Sequence, residues 1–429
     1  MIEKEFTEKY LEKIRKQLDF AINNNYSDFY RKKYQNLNID PGKIESYEDF
    51  AKIPFLTKDE ILSAEPKDRL FVPSEEVVWY SFSSGTTNAI RPLVVSHSSY
   101  EHENGKFYFD EKILKSLGVN KVIGLLTPTS AVLQKILAQP NRTIPFIPID
   151  VNKPSLMAKI VAEMGTEGII STPTTLYHFT QELIKTDFCA EDIKWVTLVG
   201  EYASNQKVEY FKNIFTKAKF YYLYGNTEIG GSIGYRCETL NSQAKQSIYH
   251  PSQNDLVEVV NSEGLDSFDE VGEVVYTHLS PKALPLIRYR TADMAIAKEN
   301  KCPCGNNVEI DVGGRKDFDV LKFNGTVIHS RAIESALSGL KDQIKLEFRM
   351  HVYERHQGKE ILPKLILEIV PNGKIYESKI AQIIQDQLFL TSDKTMSDLV
   401  KAGIYLPLKI RCVDKIENGS KTRSIITHF

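Results

Sequence analysis

The chain has 429 residues, 42% hydrophobic and 26% charged, the balance of a globular protein with a large core and length enough for more than one domain. Its 54 Lys and Arg nearly match its 56 Asp and Glu, leaving −2, and with no long basic block the charge excludes a nucleic-acid or anionic-membrane binder. A charged amino terminus, no apolar run long enough to span a bilayer, and five cysteines, an odd number unsuited to a disulfide framework, point to a cytoplasmic protein.

Ile2, Phe6, Tyr10, Ile14 and Leu18 recur every four residues between charged positions, which predicts an amphipathic first helix. Turn signals follow at Asp40-Pro41-Gly42 and Ile53-Pro54. The strand-like run Glu76 to Tyr80 then leads into Ser81-Phe82-Ser83-Ser84-Gly85-Thr86-Thr87-Asn88. Hydroxyls gathered round one glycine, with backbone N–H groups between them, suit an anion such as phosphate. The Lys and the spacing of a kinase or GTPase phosphate loop are absent.

From about Val122 to Tyr224, apolar strand candidates (Val122 to Leu126, Ile144 to Ile149, Gly168 to Ser171, Trp195 to Val199, Phe220 to Leu223) alternate with helical segments at Ser155 to Met164, Thr174 to Ile184 and Asn205 to Ala218. This βαβ rhythm predicts an α/β fold with doubly wound, mostly parallel sheets and ligands at the carboxyl ends of the strands, where Gly200-Glu201 and Tyr224-Gly225-Asn226-Thr227-Glu228 fall. After Gly231 strand pairs with short turns predict a β subdomain over about 232–312. A glycine hinge at Gly313-Gly314 then closes a large domain, 1–316, and opens a small α+β domain, 317–429, with a hairpin, a helix at Lys379 to Leu388 and a strand at Leu406 to Val413.

Four stretches fall in one order: Ser83 to Thr87, Tyr224 to Glu228, Tyr289-Arg290-Thr291-Ala292-Asp293, and Gly314-Arg315-Lys316-Asp317, with Lys421 near the end. The ordered set resembles the adenylate-forming superfamily of acyl coenzyme A ligases and peptide-synthetase adenylation domains. Within it, Phe29-Tyr30-Arg31, Ile53 to Lys58, Ala283 to Thr291 and Cys302-Pro303-Cys304-Gly305 are most similar to the phenylacetate coenzyme A ligase branch.

The resemblance implies the following roles. Ser83, Ser84, Gly85, Thr86 and Thr87 take the β- and γ-phosphates of ATP; Thr227 and Glu228 take the α-phosphate and Mg²⁺, for which a carboxylate is a suitably hard ligand. Tyr224, Gly225, Gly200 and Glu201 border the nucleotide, Asp293 accepts from the ribose hydroxyls, and Arg315 lies near ribose and phosphate. Asp317 is the hinge about which the small domain changes pose, and Lys421 reaches the reacting carboxylate. Cys237, His250, Cys302 and Cys304 stand where this branch can hold a structural zinc, while Cys189 and Cys412 read as core residues.

The chain departs from the pattern at Asn88, Tyr222, Phe318 and Ser420, and none of these removes a charge that the first half-reaction needs. The implied activity is ligation of a small carboxylic acid, aryl or arylacetic, to a thiol through an acyl-adenylate. The acceptor is coenzyme A or a carrier protein's phosphopantetheine, and a catalytically silent nucleotide-binding homologue is the rival. Thr127 to Leu133 and Ser171 to Thr175 are expected to line the acyl pocket. A homodimer stays open.

Overall fold

The structure, a computed structural model, describes residues 8–82, 93–98, 109–128, 130–139, 142–200, 203, 205–243, 247–252, 254–261, 263–315, 320–323, 326–357, 360–390, 394–416 and 425–428. The chain divides into two compact units, one of Met1–Asn205 with Glu209–Gly313, the other of Gln206–Val208 with Gly314–Phe429.

In the first unit, helix α1 (Glu8–Ile22) buries Ile14 and Leu18 of the predicted fourfold set together with Leu11 and Ala21, Tyr10 is half-buried, and Ile2 and Phe6 lie outside the described residues. Helix α2 (Lys58–Ser63) begins in a capping box: Thr57 accepts from the Glu60 N–H, and the Glu60 carboxylate accepts from the Thr57 N–H at 2.7 Å. Just before it, Leu56 is tied to the large sheet by Leu56 N donating to Arg288 O and Arg290 N donating to Leu56 O, both at 2.9 Å. The start of α2 is therefore fixed in position. Strands β1 (Val77–Phe82) and β2 (Val94–Ser98) form a separate antiparallel pair.

The large sheet starts as predicted. Strands β3 (Val122–Leu125), β4 (Phe146–Pro148), β5 (Gly168–Ser171), β6 (Trp195–Leu198) and β7 (Lys219–Asn226) run parallel in the order 4-3-5-6-7. Every residue of β3, β5 and β6 is buried, as expected of strands covered on both faces. The connecting helices are α3 (Ala131–Leu137), α4 (Pro154–Met164), α5 (Pro173–Leu183) and α6 (Asn205–Ile214). Ser130 and Thr172 cap α3 and α5, so the two segments expected to line an acyl pocket lie at the carboxyl ends of β3 and β5.

The strands after Gly231 continue this sheet instead of building one of their own. Because β7 turns back at Thr227, it pairs with β6 on one edge and antiparallel with β8 (Gly231–Tyr235) on the other. Strands β9 (Ile248–Pro251), β10 (Leu256–Val260), β11 (Val271–Thr277), β12 (Tyr289–Glu299) and β13 (Val308–Arg315) complete one 11-stranded mixed sheet, ordered 10-11-12-13-9-8-7-6-5-3-4. The α/β class holds.

The second unit has the hairpin β14 (Val320–Phe323) and β15 (Thr326–His329), and a 4-stranded sheet ordered 18-17-16-19 from β16 (Ile344–Gln357), β17 (Glu360–Pro371), β18 (Lys409–Cys412) and β19 (Ile425–Thr427). Helices α7 (Ser330–Leu337), α8 (Glu377–Gln387) and α9 (Met396–Lys401) share its core, which includes Ile333, Met350, Leu367, Ile384 and Leu399. Cys412 is half-buried against this core. Cys189 is not a core residue: it is exposed in the connection after α5, where it precedes a short turn at Ala190–Asp192. Among the described residues no helix is long and apolar enough to cross a membrane.

Candidate active site

The turn from Thr227 to Gly230, where β7 reverses into β8, is held by three side chains. Lys135 Nζ, buried, donates to Gly230 O at 3.1 Å. His278 donates from Nε2 to Ile229 O at 3.2 Å, because its Nδ1 accepts from Leu286 N at 3.0 Å and a carbonyl can only accept. Ser81 Oγ lies 3.4 Å from Thr227 O and 2.8 Å from His97 Nε2. His97 is itself stacked on Trp79, 3.5 Å between ring centroids. Gly230 has φ 63°, and a Cβ there would stand 2.3 Å from the His97 ring, so only glycine closes this turn.

Glu228 projects from the turn and is buried, 4% exposed, and its carboxylate meets Lys58 Nζ at 2.8 Å. A buried carboxylate needs a counter-cation, and Lys58 supplies one from the first position of α2. A cation there opposes the helix dipole. That mismatch was the signal in the sequence that Lys58 serves another group, and reasoning from motifs missed it.

Asp293 comes to the same strand. The Tyr224 hydroxyl donates to Asp293 Oδ2 at 2.7 Å, joining β12 to the carboxyl end of β7. Asp293 is also buried, and its N–H donates to Thr291 Oγ1 at 3.1 Å. Nearby, fully buried Arg288 pairs with Glu258 at 2.9 Å, and Glu258 also accepts from the Tyr47 hydroxyl at 2.8 Å. Burial, and then the Glu258 charge, push the Tyr47 hydroxyl well above its ordinary range. This network spans segments far apart in sequence and was not foreseen.

Tyr224, Gly225, Thr227, Glu228 and Asp293 are thus brought together at the carboxyl end of β7, and Gly200 lies exposed just past β6. Ser83, Ser84, Gly85, Thr86, Thr87, Glu201, Asp317 and Lys421 lie outside the described residues, as does the side chain of Arg315 at the end of β13.

A second cluster joins β8, β9 and the β12–β13 turn. One ligand atom from each of Cys237, His250, Cys302 and Cys304 lies within 4.8 Å of the others. Cys237 Sγ is 3.4 Å from His250 Nε2 and 3.5 Å from Cys302 Sγ, close to the roughly 3.7 Å between sulfurs around a tetrahedral Zn²⁺. His250 Nδ1 donates to Val308 O at 2.8 Å, so Nε2 presents its lone pair to the thiols. Burial opposes ionisation of Cys302, but hydrogen bonds from Cys304, Cys237 and His250 outweigh it and hold the thiol down to about 6. Burial and the neighbouring sulfurs push Cys304 up to about 11. Three soft sulfurs and one imidazole form a donor set that fits zinc.

Comparison with solved structures defines the class of fold. The chain superposes on 2-hydroxyisobutyryl-CoA ligase in the postadenylation state, in complex with R3-HIB-AMP, with a TM-score of 0.74 and 16% identity, covering 98% of this chain and 89% of that one. It also matches an anthranilate CoA ligase in complex with anthranoyl-AMP, with a TM-score of 0.57 and 14% identity over 83% and 65% of the two chains. The fold is that of the adenylate-forming CoA ligases.

Among curated proteins, the similarity runs to phenylacetate-coenzyme A ligases. That of Thermus thermophilus is 24% identical over 403 residues, 86% of this chain and 87% of the relative, and that of Pseudomonas putida 24% over 354 residues, 80% and 77%. No family model matches the chain. The resemblance read from the ordered stretches is borne out.

Proposed function

We propose that the protein is an ATP-dependent, AMP-forming acid–thiol ligase whose acceptor is coenzyme A and whose substrate is a small aryl or arylacetic acid. The observation that carries this reading is the meeting of Glu228 and the Tyr224–Asp293 pair at one strand end. It supports reading Glu228 as the acid for phosphate or metal and Asp293 as the acid for sugar hydroxyls, in a fold shared with CoA ligases.

In the first half-reaction, a carboxylate oxygen of the substrate bonds to the α-phosphorus of ATP while the bond to pyrophosphate breaks. In the second, the thiol loses its proton, its sulfur bonds to the acyl carbon and AMP leaves. Asp293, fixed by Tyr224, accepts from the ribose hydroxyls. Thr227 and Glu228, on a turn held by Lys135, His278 and Ser81, face the α-phosphate. Glu228 and the Thr227 hydroxyl offer the hard oxygen donors that suit Mg²⁺, which when bound neutralises charge on the phosphates. Ser83 to Thr87, Arg315 and Lys421 serve as the phosphate loop, ribose contact and tail cation, with Asp317 as hinge. Cys237, His250, Cys302 and Cys304 hold a structural zinc. The working compartment is the cytoplasm.

The test is mass spectrometry of mixtures of ATP, CoA and a panel of acids. Acid-dependent AMP and acyl-CoA are expected, and consumption of ATP to ADP would end the reading.

A further inference from the structure

We propose that Glu273 is a positioning residue for Asp293, acting through the backbone of Ala292; the inference rests on the reading of Asp293 as the ribose ligand. Strand β12 is not regular where it carries Asp293. Glu273 of β11 pairs with Met294 and Val275 with Arg290, so Val274 alone stands opposite Thr291, Ala292 and Asp293. A bulge of this kind re-aims side chains. Within it Ala292 takes φ 62°, a left-handed conformation that an L-residue with a Cβ adopts only at a cost.

Glu273, 6% exposed, holds that conformation with both oxygens. Its Oε1 accepts from Ala292 N at 3.1 Å, and its Oε2 accepts from Arg290 Nε at 2.9 Å and from the Arg290 Nη2. Thr291 completes the clamp, donating from Oγ1 to Val274 O at 2.8 Å while accepting from Asp293 N at 3.1 Å. The carboxylate of Glu273 is thus joined to residues on both sides of Thr291, and the strained peptide leads directly into Asp293. Without the clamp, Ala292 relaxes toward ordinary strand dihedrals and rotates Asp293 away from Tyr224. Gln at position 273 keeps one acceptor but turns an NH₂ toward the Arg290 guanidinium, which breaks the other arm.

The experiment compares equilibrium binding of ATP, 2′-deoxyATP and 3′-deoxyATP to the full chain and to Glu273→Gln, Asp293→Asn and Glu273→Gln/Ala292→Gly, with thermal melts of each. Asp293→Asn should lose the preference for ATP over the deoxynucleotides. Glu273→Gln should bind ATP roughly tenfold more weakly and lose most of that preference. Ala292→Gly, which removes the backbone penalty, should restore part of it. A merely structural Glu273 would lower the melting temperature and weaken all three nucleotides alike. An unchanged ATP preference in folded Glu273→Gln, alongside its loss in Asp293→Asn, would overturn the proposal. An unchanged preference in Asp293→Asn would instead overturn the ribose reading on which it rests.

Discussion

Removing Lys58 should take its counter-cation away from the buried Glu228 carboxylate. Glu228 is 4% exposed and Lys58 22%, with 2.8 Å between them. Loss of one partner of a buried pair costs about 3 to 5 kcal/mol, and because Lys58 keeps some contact with water the lower end, about 3, applies to Lys58→Met. At about 2 °C per kcal/mol for a unit of this size, the melting temperature should fall by about 6 °C. Glu228→Gln added to Lys58→Met removes the buried charge that Lys58 balanced and should recover most of the loss, giving a coupling of about 2 kcal/mol. Chemical denaturation of the four proteins of the cycle supplies the numbers. A loss within about 0.5 kcal/mol, typical of a surface change, or a double variant no more stable than Lys58→Met, would refute the pairing as a source of stability.

Other outcomes follow from the same geometry. Metal analysis of the purified protein should find about one zinc per chain, and Cys304→Ser should lower it; the absence of zinc from the unaltered protein would remove the metal. Lys421→Ala should slow adenylate formation by on the order of a hundredfold yet leave thiol transfer from a supplied acyl-adenylate largely intact, and equal loss of both would show the tail cation misassigned. In the second unit, burial pushes the Glu368 carboxyl up, but His351 and Arg411 beside it hold it below the usual carboxylate range. A depressed folded value means stability present above the unfolded value of about 4.3 and lost as the pH falls through the folded one. Urea titrations should therefore show the advantage of the unaltered protein over Glu368→Gln shrinking below about pH 4, and an advantage independent of pH would contradict that origin.

Local pattern carried much of the architecture. Buried apolar runs announced β3, β5 and β6, and helical spacing announced α4 and α5, because strands covered on both faces and amphipathic helices write their burial into the residue types. Glu228 and Asp293 were legible from short motifs in order. Their partners were not. Lys58, His278 and Glu273 reach the site across the sheet from distant segments, and no local spacing encodes such a meeting. The continuity of the sheet through β7 was hidden for the same reason, since a strand does not declare which neighbour it will pair with on its second edge. Cys189 was misjudged because thiol character says nothing about whether a loop is covered.

The central claim is that the protein makes an acyl-adenylate, and pyrophosphate exchange into ATP tests it without any thiol present. With Mg²⁺ and a panel of aryl, arylacetic, fatty and amino acids, exchange should appear with one class of acid, and should be abolished by Glu228→Gln and by Asp293→Asn. ATP binding without exchange for any acid would contradict the claim and point to a nucleotide-binding protein that does no chemistry.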